Sequence, residues 1–416
     1  MIIVLYNSIE FAKTLGAVVI KKVAIIDGLR TPNFKFGGSF RGLNIIDESS
    51  KIVKALLERN KLCEVDEVII GNVISAGLGQ NIARQIALKS GLGDAVPAFS
   101  VNKVCGSGLK ALELAFNSIA LGDNDIVLAG GVEDLTNSPY LLPRKIRFDG
   151  LKFGNFGLED SIQKDALIDS LNFISMGLTA ENLSEKYKIT REMQDAFAFN
   201  SHEKALKARK LGYFEDEIYP LTVFDRKTNS SRIVSSDEEI RDNLTLNKLA
   251  SLNPVFKESG TVTAGNSSSL NDGACFLILA SEERVKSLGI SPLAYIGGFK
   301  SVGLDPLYMG FGAYMAIEGI INKLSLNPSE IDLIEVNEAF AAQALSIEKA
   351  LFNKYNITSN IINVNGGAIA LGHPFAVSGS RILLTLSRSM KMKNKTKGIV
   401  SICIGGGQGI SSFLYR

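Results

Sequence analysis

Along the chain, short apolar runs typical of strands alternate with segments whose apolar residues have helical spacing. Residues 21–32, KKVAIIDGLRTP, and residues 65–73, VDEVIIGNV, hold short β-branched runs that end in turn residues, a pattern typical of buried strands. Residues 47–62 lie between them and place apolar side chains at helical spacing, which predicts an amphipathic helix. Strands that alternate with helices are typical of an α/β fold with a covered sheet.

The same order of elements occurs twice in the chain. Residues 315–340 hold the same helix, turn and strand as residues 51–73, and residues 378–407 match residues 107–134. Each copy of the second pair runs from a small-residue turn through an amphipathic helix to a strand that ends in glycines. The period is much too long for a solenoid. We therefore expect two similar α/β halves whose equivalent loops meet at one site.

The stretch between the two repeats, residues 138–263, has a different character. It begins with irregular sequence and continues into a charged amphipathic helix, so we expect an insertion that lies over the first half and contributes ligand contacts. We divide the chain into an N-terminal extension, residues 1–21, a first half, residues 22–289, which contains the insertion, and a second half, residues 290–416.

Charge and cysteine content narrow the classes of function. The chain has 45 basic and 43 acidic residues, a formal net charge of +2, and no long run of like charge, so nothing indicates a nucleic-acid surface. Its four cysteines form no C-x-x-C pair, which argues against a metal site or a disulfide framework and favours a reducing, cytoplasmic compartment. Asn7, Glu10 and Lys13 interrupt the apolar start, so we expect neither a membrane span nor a secretory signal.

Three side chains with acid–base or nucleophilic chemistry lie at predicted element ends. Cys105, in VNKVCGSGLK, precedes a predicted helix, whose N-terminus favours a thiolate by lowering the thiol pKa; the alternative is an inert core cysteine. His373 precedes Pro374 in a glycine-rich turn and is either the base for a thiol or a hydrogen-bonded loop residue. Cys403 ends a strand before three glycines, whose N–H groups can face an oxyanion.

The remaining candidates are less specific. Asn337, in VNEAF, ends another predicted strand and either holds a water or a carbonyl or acts as a cap. His202 belongs to the charged helix and is expected on the surface. Cys63 and Cys275 are expected to be packing residues.

Together these motifs resemble the thiolase family, from Lys22 to the C-terminus. The resemblance implies the thiolase fold, two similar α/β halves in five α-β-α-β-α layers with an inserted loop domain. It also implies acyl transfer between CoA thioesters, either CoA-dependent cleavage of 3-ketoacyl-CoA or the reverse Claisen condensation, in a homodimer or homotetramer. Coenzyme A would be a substrate or product, and neither a cofactor nor a metal would be required. The matching stretches are NKVCGSGLKA, MGLTAEN, GTVTAGNSSSLNDGA, VNEAFAAQ, NVNGGAIALGHP and CIGGGQG.

The resemblance assigns roles to individual residues. Cys105 would carry the acyl group as a thioester, His373 would be its base, and Cys403 would be the second acid and base. Asn337, through a bound water, would help His373 to stabilise the enolate oxygen, and the N–H groups of Cys105 and Gly405 would hold the oxyanion of the acylated cysteine. Five further positions match contacts to the pantetheine arm of CoA. They are Leu167, Met176, Ala264, Ser268 and Phe340.

Departures from the family pattern concern the acyl pocket. The family commonly has GHPIGASGAR where this chain has GHPFAVSGSR, and it commonly has alanine and glycine at Ser267 and Ser269. Short-chain biosynthetic members carry histidine at Ser175. These features resemble degradative members that act on longer 3-ketoacyl chains, and the alternative is a biosynthetic enzyme specific for acetoacetyl-CoA.

Three other classes of protein are alternatives to a thiolase. A 3-ketoacyl synthase shares the doubled fold but uses His-His or His-Asn partners, so Cys403 argues against it. A non-catalytic CoA- or lipid-binding relative would be expected to lack Cys105, His373 or Cys403. Cysteine hydrolases need neither the second cysteine nor the doubled half.

Overall fold

The structure, a computed structural model, describes residues 20–225 and 229–416, so most of the predicted N-terminal extension lies outside the described residues. Its strands are β1 Val23–Arg30, β2 Phe34–Lys35, β3 Glu67–Gly71, β4 Ala98–Val101, β5 Ile126–Glu133, β6 Tyr140–Leu141, β7 Glu159–Asp160, β8 Leu221–Asp225, β9 Ser230–Val234, β10 Asn271–Ser281, β11 Ala294–Gly303, β12 Leu333–Val336, β13 Lys397–Ile404 and β14 Gln408–Tyr415. Its α-helices are α1 Ile45–Arg59, α2 Ile82–Lys89, α3 Ser107–Leu121, α4 Ile146–Asp149, α5 Met176–Tyr187, α6 Arg191–Lys210, α7 Leu246–Ala250, α8 Glu282–Leu288, α9 Gly312–Leu324, α10 Ala341–Tyr355, α11 Ala368–Leu371 and α12 Phe375–Met392. A π turn covers Gln163–Leu167, and 3₁₀ turns cover Pro306–Phe311, Pro328–Glu330 and Ser359–Ile361.

The main sheet is symmetric about its centre. Its strands lie in the order β12-β13-β14-β11-β1-β10-β5-β3-β4, with β2 paired to β10. The pairs β3–β5 and β12–β13 are parallel, whereas β1–β10 and β11–β14 are antiparallel. The two halves join where residues 23–25 of β1 pair with residues 294–296 of β11. The predicted repeat is therefore confirmed: α1–β3 corresponds to α9–β12, and α3–β5 to α12–β13.

Helices cover both faces of each half of the sheet. In the first half, Ile52 of α1 and Ile82 of α2 form an outer core with one face of the sheet. Leu112 of α3 and Leu383 of α12 lie in a central core that both halves share. Ile317 of α9 packs with α10 on the outer face of the second half. These three cores produce the five layers expected of the thiolase fold.

The central helix α12 is buried on almost every side, because it is enclosed by both halves. Its buried positions include polar side chains, among them Ser380, Arg381 and Thr385. In the part of the chain that the structure describes, no helix combines the length and apolar character needed to cross a membrane.

A buried ion network fastens the inserted segment to the first half. Arg30 of β1 is completely buried, and its Nε donates to Glu217 Oε1 at 2.9 Å. Its Nη1 and Nη2 donate to the two carboxylate oxygens of Asp237, at 2.7 and 2.9 Å. Removing one partner from such a pair leaves a buried charge uncompensated, which costs about 3–5 kcal/mol. This network therefore fixes the insertion against β1.

The prediction that His202 is exposed is wrong. Only 3% of this residue is exposed, and its Nδ1 accepts a hydrogen bond from the Arg241 N–H at 3.3 Å. Burial lowers the pKa of His202 to about 4. The reason is that α6 packs against the second half, where the neighbouring Ser201 donates to Glu338 at 2.6 Å.

The two cysteines expected to be packing residues differ. Cys275 is completely buried in β10, as predicted. Cys63 is exposed, which contradicts the prediction. The neighbouring Leu62 and Val65 turn toward the core in the turn after α1, and Cys63 is left facing solvent.

Candidate active site

Cys105 lies on a sharp turn between β4 and α3. Val104, immediately before it, has a φ of +47°, a left-handed conformation that β-branched residues rarely adopt. Hydrogen bonds on both sides hold the turn: Asn102 Oδ1 accepts from the Val104 N–H at 2.9 Å, and Ser107 Oγ accepts from the Lys103 N–H at 2.8 Å. The turn presents the half-buried Cys105 thiol at the N-terminal end of α3.

Burial outweighs the lowering of the Cys105 pKa that is expected from the helix N-terminus. Burial raises the pKa of this thiol to about 12, and the charge of Glu133 raises it further. The Gly405 N–H near the sulfur favours the thiolate, but this contribution is smaller than the cost of removing a thiolate from water. Cys105 is therefore a neutral thiol in the resting site.

Cys403 and Gly405 face Cys105 from the end of β13. Burial raises the pKa of Cys403, and the charge of a Cys105 thiolate raises it further, because the two sulfurs are close enough to interact. A Cβ on Gly405 would lie 3.4 Å from Val104 Cγ1 and 3.5 Å from Met176 Sδ. Gly405 therefore lies between the turn that carries Cys105 and the start of α5, with its N–H near the Cys105 sulfur.

His373 is held rigidly beside the start of α12. Its backbone N–H donates to Asn271 Oδ1 at 2.8 Å, and its Nδ1 lies 2.6 Å from Ser378 Oγ. Since the Ser378 hydroxyl donates to the Pro374 carbonyl at 3.2 Å, the network assigns the ring proton to Nδ1 and a lone pair to Nε2. Burial lowers the pKa of His373 to about 3, so the ring is neutral and Nε2 can accept a proton.

Two glycines allow α12 to approach α3 and β5 closely. A Cβ on Gly108 would lie 2.3 Å from the Ala376 carbonyl oxygen, and a Cβ on Gly131 would lie 2.0 Å from the same atom. Because no side chain intervenes, the start of α12 packs directly on the start of α3. Cys105 accordingly contacts the apolar cluster that contains Phe375 and Ala376.

Asn337 is a buried amide with unused hydrogen-bonding capacity. It follows β12, is completely buried, and donates its backbone N–H to the Ser401 carbonyl at 3.0 Å. Among the described residues, none hydrogen-bonds to its Nδ2 or its Oδ1. Buried amides are normally paired with protein or water, so this side chain is available to a water or a substrate oxygen. The next helix, α10, begins at Ala341, so Asn337 does not cap it.

Three of the pantetheine-matched residues border the reacting groups. Met176 and Phe340 pack in the same core cluster as Cys403. Leu167 packs against the cluster that also contacts Cys105. These three side chains therefore belong to the apolar clusters that adjoin the two thiols.

The other two pantetheine-matched residues lie farther out. Ser268 is half-buried, and its N–H and Oγ both donate to the Ala339 carbonyl, at 2.9 and 3.0 Å. Ala264 is exposed. Ser175 stands at the position where short-chain biosynthetic members carry histidine. Its side chain caps α5 by accepting from the Leu178 N–H at 3.3 Å.

The sequence interpretation missed two buried glutamates at strand ends. Glu338 follows Asn337 and accepts from Ser201 Oγ at 2.6 Å, from Asn363 Nδ2 at 2.8 Å and from the Ile369 N–H at 3.3 Å. It thereby orders the loop that leads to His373. Glu133 ends β5 and contacts the start of α12. The available signal was an acidic residue at the end of an apolar strand, in GGVED and VNEAF.

Across residues 20–225 and 229–416, no three His, Cys, Asp or Glu side chains are grouped so that they could hold a metal ion. The acid–base groups of the site are two thiols and one imidazole.

Comparisons with known proteins agree with this geometry. The family model for the thiolase N-terminal domain matches residues 23–283, and that for the thiolase C-terminal domain matches residues 290–416. A probable acetyl-CoA acyltransferase from Staphylococcus aureus (strain COL) is 46% identical over 397 residues, which cover 95% of this chain and 99% of that protein. A protein of the same name from Staphylococcus epidermidis is 45% identical over 397 residues, with the same coverage of both chains.

Solved structures lead to the same result. The crystal structure of the Bacillus anthracis acetyl-CoA acetyltransferase matches with a TM-score of 0.91 and 39% identity, and covers 96% of this chain and 100% of that one. The crystal structure of human mitochondrial 3-ketoacyl-CoA thiolase matches with a TM-score of 0.90, at the same identity and coverage. The chain therefore belongs to the thiolase family of acyltransferases.

Proposed function

We propose that this thiolase cleaves 3-ketoacyl-CoA with coenzyme A, through an acyl group carried on Cys105. The observation that carries the proposal is the set of three neutral groups in one buried site. Two thiols, Cys105 and Cys403, are close enough that the charge of a Cys105 thiolate raises the pKa of Cys403, and His373 offers a free Nε2 lone pair. One thiol can carry the acyl group while the other moves the proton of a C–H bond.

In the first half-reaction, the Cys105 sulfur attacks the 3-keto carbon and its proton passes to His373 Nε2. The bond between C2 and C3 then breaks, which leaves a thioester on Cys105 and the enolate of acetyl-CoA. Cys403 gives its thiol proton to C2 of the enolate, and acetyl-CoA departs. Since Cys105 and His373 both start neutral, proton transfer accompanies attack.

In the second half-reaction, the thiol of coenzyme A gives its proton to the Cys403 thiolate and attacks the thioester carbon. The bond from that carbon to the Cys105 sulfur breaks, and His373 returns its proton to the sulfur. The shortened acyl-CoA departs, and all three groups are restored. The Claisen condensation follows the same steps in reverse.

Hydrogen-bond donors would stabilise the two oxyanions. The N–H groups of Cys105 and Gly405 suit the oxyanion of the acylated cysteine, since the Gly405 N–H already faces the sulfur. The unpaired Asn337 amide, through a water, together with protonated His373, suits the enolate oxygen. We assign Leu167, Met176, Ala264, Ser268 and Phe340 to the pantetheine arm.

The acyl pocket favours longer chains in this proposal. The Phe375 ring lies edge-on to the His373 ring with centroids 5.3 Å apart and belongs to the apolar cluster that Cys105 contacts. At the start of α5, Ser175 presents a small side chain. We therefore infer a degradative role in fatty-acid metabolism, with acetoacetyl-CoA specificity as the alternative.

We further propose a cytoplasmic homodimer or homotetramer. The four cysteines, all within the described residues, are free thiols, which suits a reducing compartment. Among the described strands, β4 pairs only with β3, and its residues Phe99 and Ser100 are exposed at the sheet edge. A second copy that pairs along β4 would satisfy the unpaired backbone groups of this edge.

The test is cleavage of 3-ketoacyl-CoA substrates with acyl chains of four to sixteen carbons, followed by loss of the enolate absorbance. We expect activity that peaks at eight carbons or more and disappears in Cys105→Ala. Activity confined to four carbons would overturn the inferred chain length and establish the acetoacetyl-CoA alternative. No activity at any length, from folded protein, would overturn the proposed function and favour a CoA-binding relative.

A further inference from the structure

Glu133 is a buried carboxylate that the proposed reaction does not use. It is the last residue of β5 and is completely buried. Its Oε1 accepts from the Ile74 N–H at 3.0 Å and from Asn72 Nδ2 at 3.3 Å, and its Oε2 accepts from the Ala376 N–H at 2.9 Å. Burial raises the pKa of Glu133 to about 7, while the N–H groups that donate to it favour the ionised form.

The hydrogen bond to Ala376 takes the place of a helix cap. The N-cap residue of α12 is Pro374, whose side chain cannot accept a hydrogen bond, and Ala376 is the second residue of the helix. Glu133 therefore supplies, from another strand, both the acceptor and the negative charge that a helix N-terminus favours. Hydrogen bonds to an ionised acceptor are about twice as strong as neutral ones.

The backbone of Ala376 is constrained on its carbonyl side too. Its carbonyl oxygen lies against Gly108 and Gly131, where a methyl group would come within 2.3 and 2.0 Å. With its N–H on Glu133 and its carbonyl oxygen against two glycines, the two peptide groups that flank the Ala376 Cα are fixed relative to α3 and β5. His373 lies three residues earlier, and the ring of the intervening Phe375 packs edge-on against the imidazole.

We propose that Glu133 is a positioning residue, which holds the Ala376 amide and thereby fixes the His373 imidazole relative to the Cys105 thiol. This proposal rests on the proposed function only in its expected effect of Glu133 on turnover. Its structural content is that the carboxylate of β5 sets the orientation of a ring that it does not touch. A base displaced by about 1 Å loses about 100-fold in rate.

The experiment compares wild type with Glu133→Gln, which keeps the size of the side chain but replaces one acceptor oxygen by an NH₂ group. Because the chain has only two histidines, selective ¹⁵N-histidine labelling gives ring signals from His373 and His202 alone, and His202→Gln assigns them. At about pH 8, where Glu133 is ionised in the wild type, we expect shifted His373 signals and unchanged His202 signals. We expect kcat to fall about 10- to 100-fold with the KM for CoA nearly unchanged.

Glu348→Gln is the matched control. Burial raises the pKa of Glu348 to about 7 as well, but this residue lies on the outer helix α10. We expect it to leave kcat and the His373 signals unchanged. Glu133→Asp keeps the charge and draws the carboxylate back by one methylene. We expect it to shift the His373 ring signals with a smaller loss of kcat. This variant also serves as the test if Glu133→Gln does not fold.

Three results would overturn the proposal. They are an unchanged kcat, unchanged His373 ring signals, or equal shifts of both histidines in the Glu133 variants. If the wild-type enzyme cleaves no 3-ketoacyl-CoA, the proposed function fails, but the ring signals and the rate of Cys105 alkylation by iodoacetamide still test the positioning role.

Discussion

The two central helices begin at the same place in the doubled fold but prepare their reactive groups in opposite ways. Cys105 precedes α3, on a turn that forces Val104 into a left-handed conformation and leaves the thiol half-buried. His373 precedes α12 and is buried, with its backbone and its ring both hydrogen-bonded. The first half thus exposes its group through backbone strain, whereas the second half orients its group through side-chain partners.

This difference follows from the chemistry of the two groups. In the proposed reaction the Cys105 sulfur must reach the substrate carbon, and a strained turn with glycines after it makes the sulfur accessible. His373, the proposed base, must present one particular lone pair, and Ser378 fixes which ring nitrogen carries it. Repetition of one fold therefore supplies two helix N-termini at one site, and the local sequence decides the task of each.

The largest expected effect comes from removing the proposed base, His373. His373→Ala should lower kcat for cleavage about 10²- to 10⁴-fold, because the Cys105 thiol would then have to lose its proton without assistance. The measurement is steady-state cleavage at saturating CoA. His202→Gln is the control and should retain wild-type activity, since an amide can also accept from the Arg241 N–H. A loss smaller than tenfold in His373→Ala would show that another group takes the proton.

The sequence predicts those features of the site that depend on local pattern. Hydrophobic periods and small-residue turns indicated the doubled α/β fold, which is confirmed, and they located Cys105, His373 and Cys403 at element ends. The resemblance to thiolases, confirmed by the comparisons, assigned their roles, which stay predictions.

The sequence interpretation did not predict features that depend on contacts between residues far apart in the chain. Glu133 and Ala376 lie 243 positions apart, so no local pattern connects them. The burial of His202 depends on packing between the insertion and the second half. The raised pKa of Cys105 depends on desolvation by both halves, which outweighs the local effect of the helix N-terminus that the sequence suggested.

An intermediate effect is expected from placing a methyl group between the start of α3 and the start of α12. In Gly108→Ala the new methyl group would lie 2.3 Å from the Ala376 carbonyl oxygen, so one helix must move. We expect the free energy of unfolding to fall by about 1–3 kcal/mol, measured by urea denaturation, and activity to fall with it. Gly93→Ala is the control, because nothing lies within 4 Å of a Cβ at that position. Equal stability of the two variants would mean that the helices pack less closely than described.

The smallest expected effect comes from loosening the orientation of the proposed base, His373, while leaving the residue in place. Ser378→Ala removes the hydrogen-bond partner of His373 Nδ1. The imidazole before α12 would then have fewer side-chain partners, as the thiol before α3 has. Loss of one hydrogen bond, about 1 kcal/mol, should lower kcat about fivefold without changing the KM for CoA. Ser387→Ala on the same helix is the control, since its hydroxyl donates only to the Leu383 carbonyl one turn earlier. If both variants keep wild-type kcat, the orientation of His373 is set by Glu133 and Asn271 without Ser378. If both lose activity equally, the loss reflects α12 as a whole.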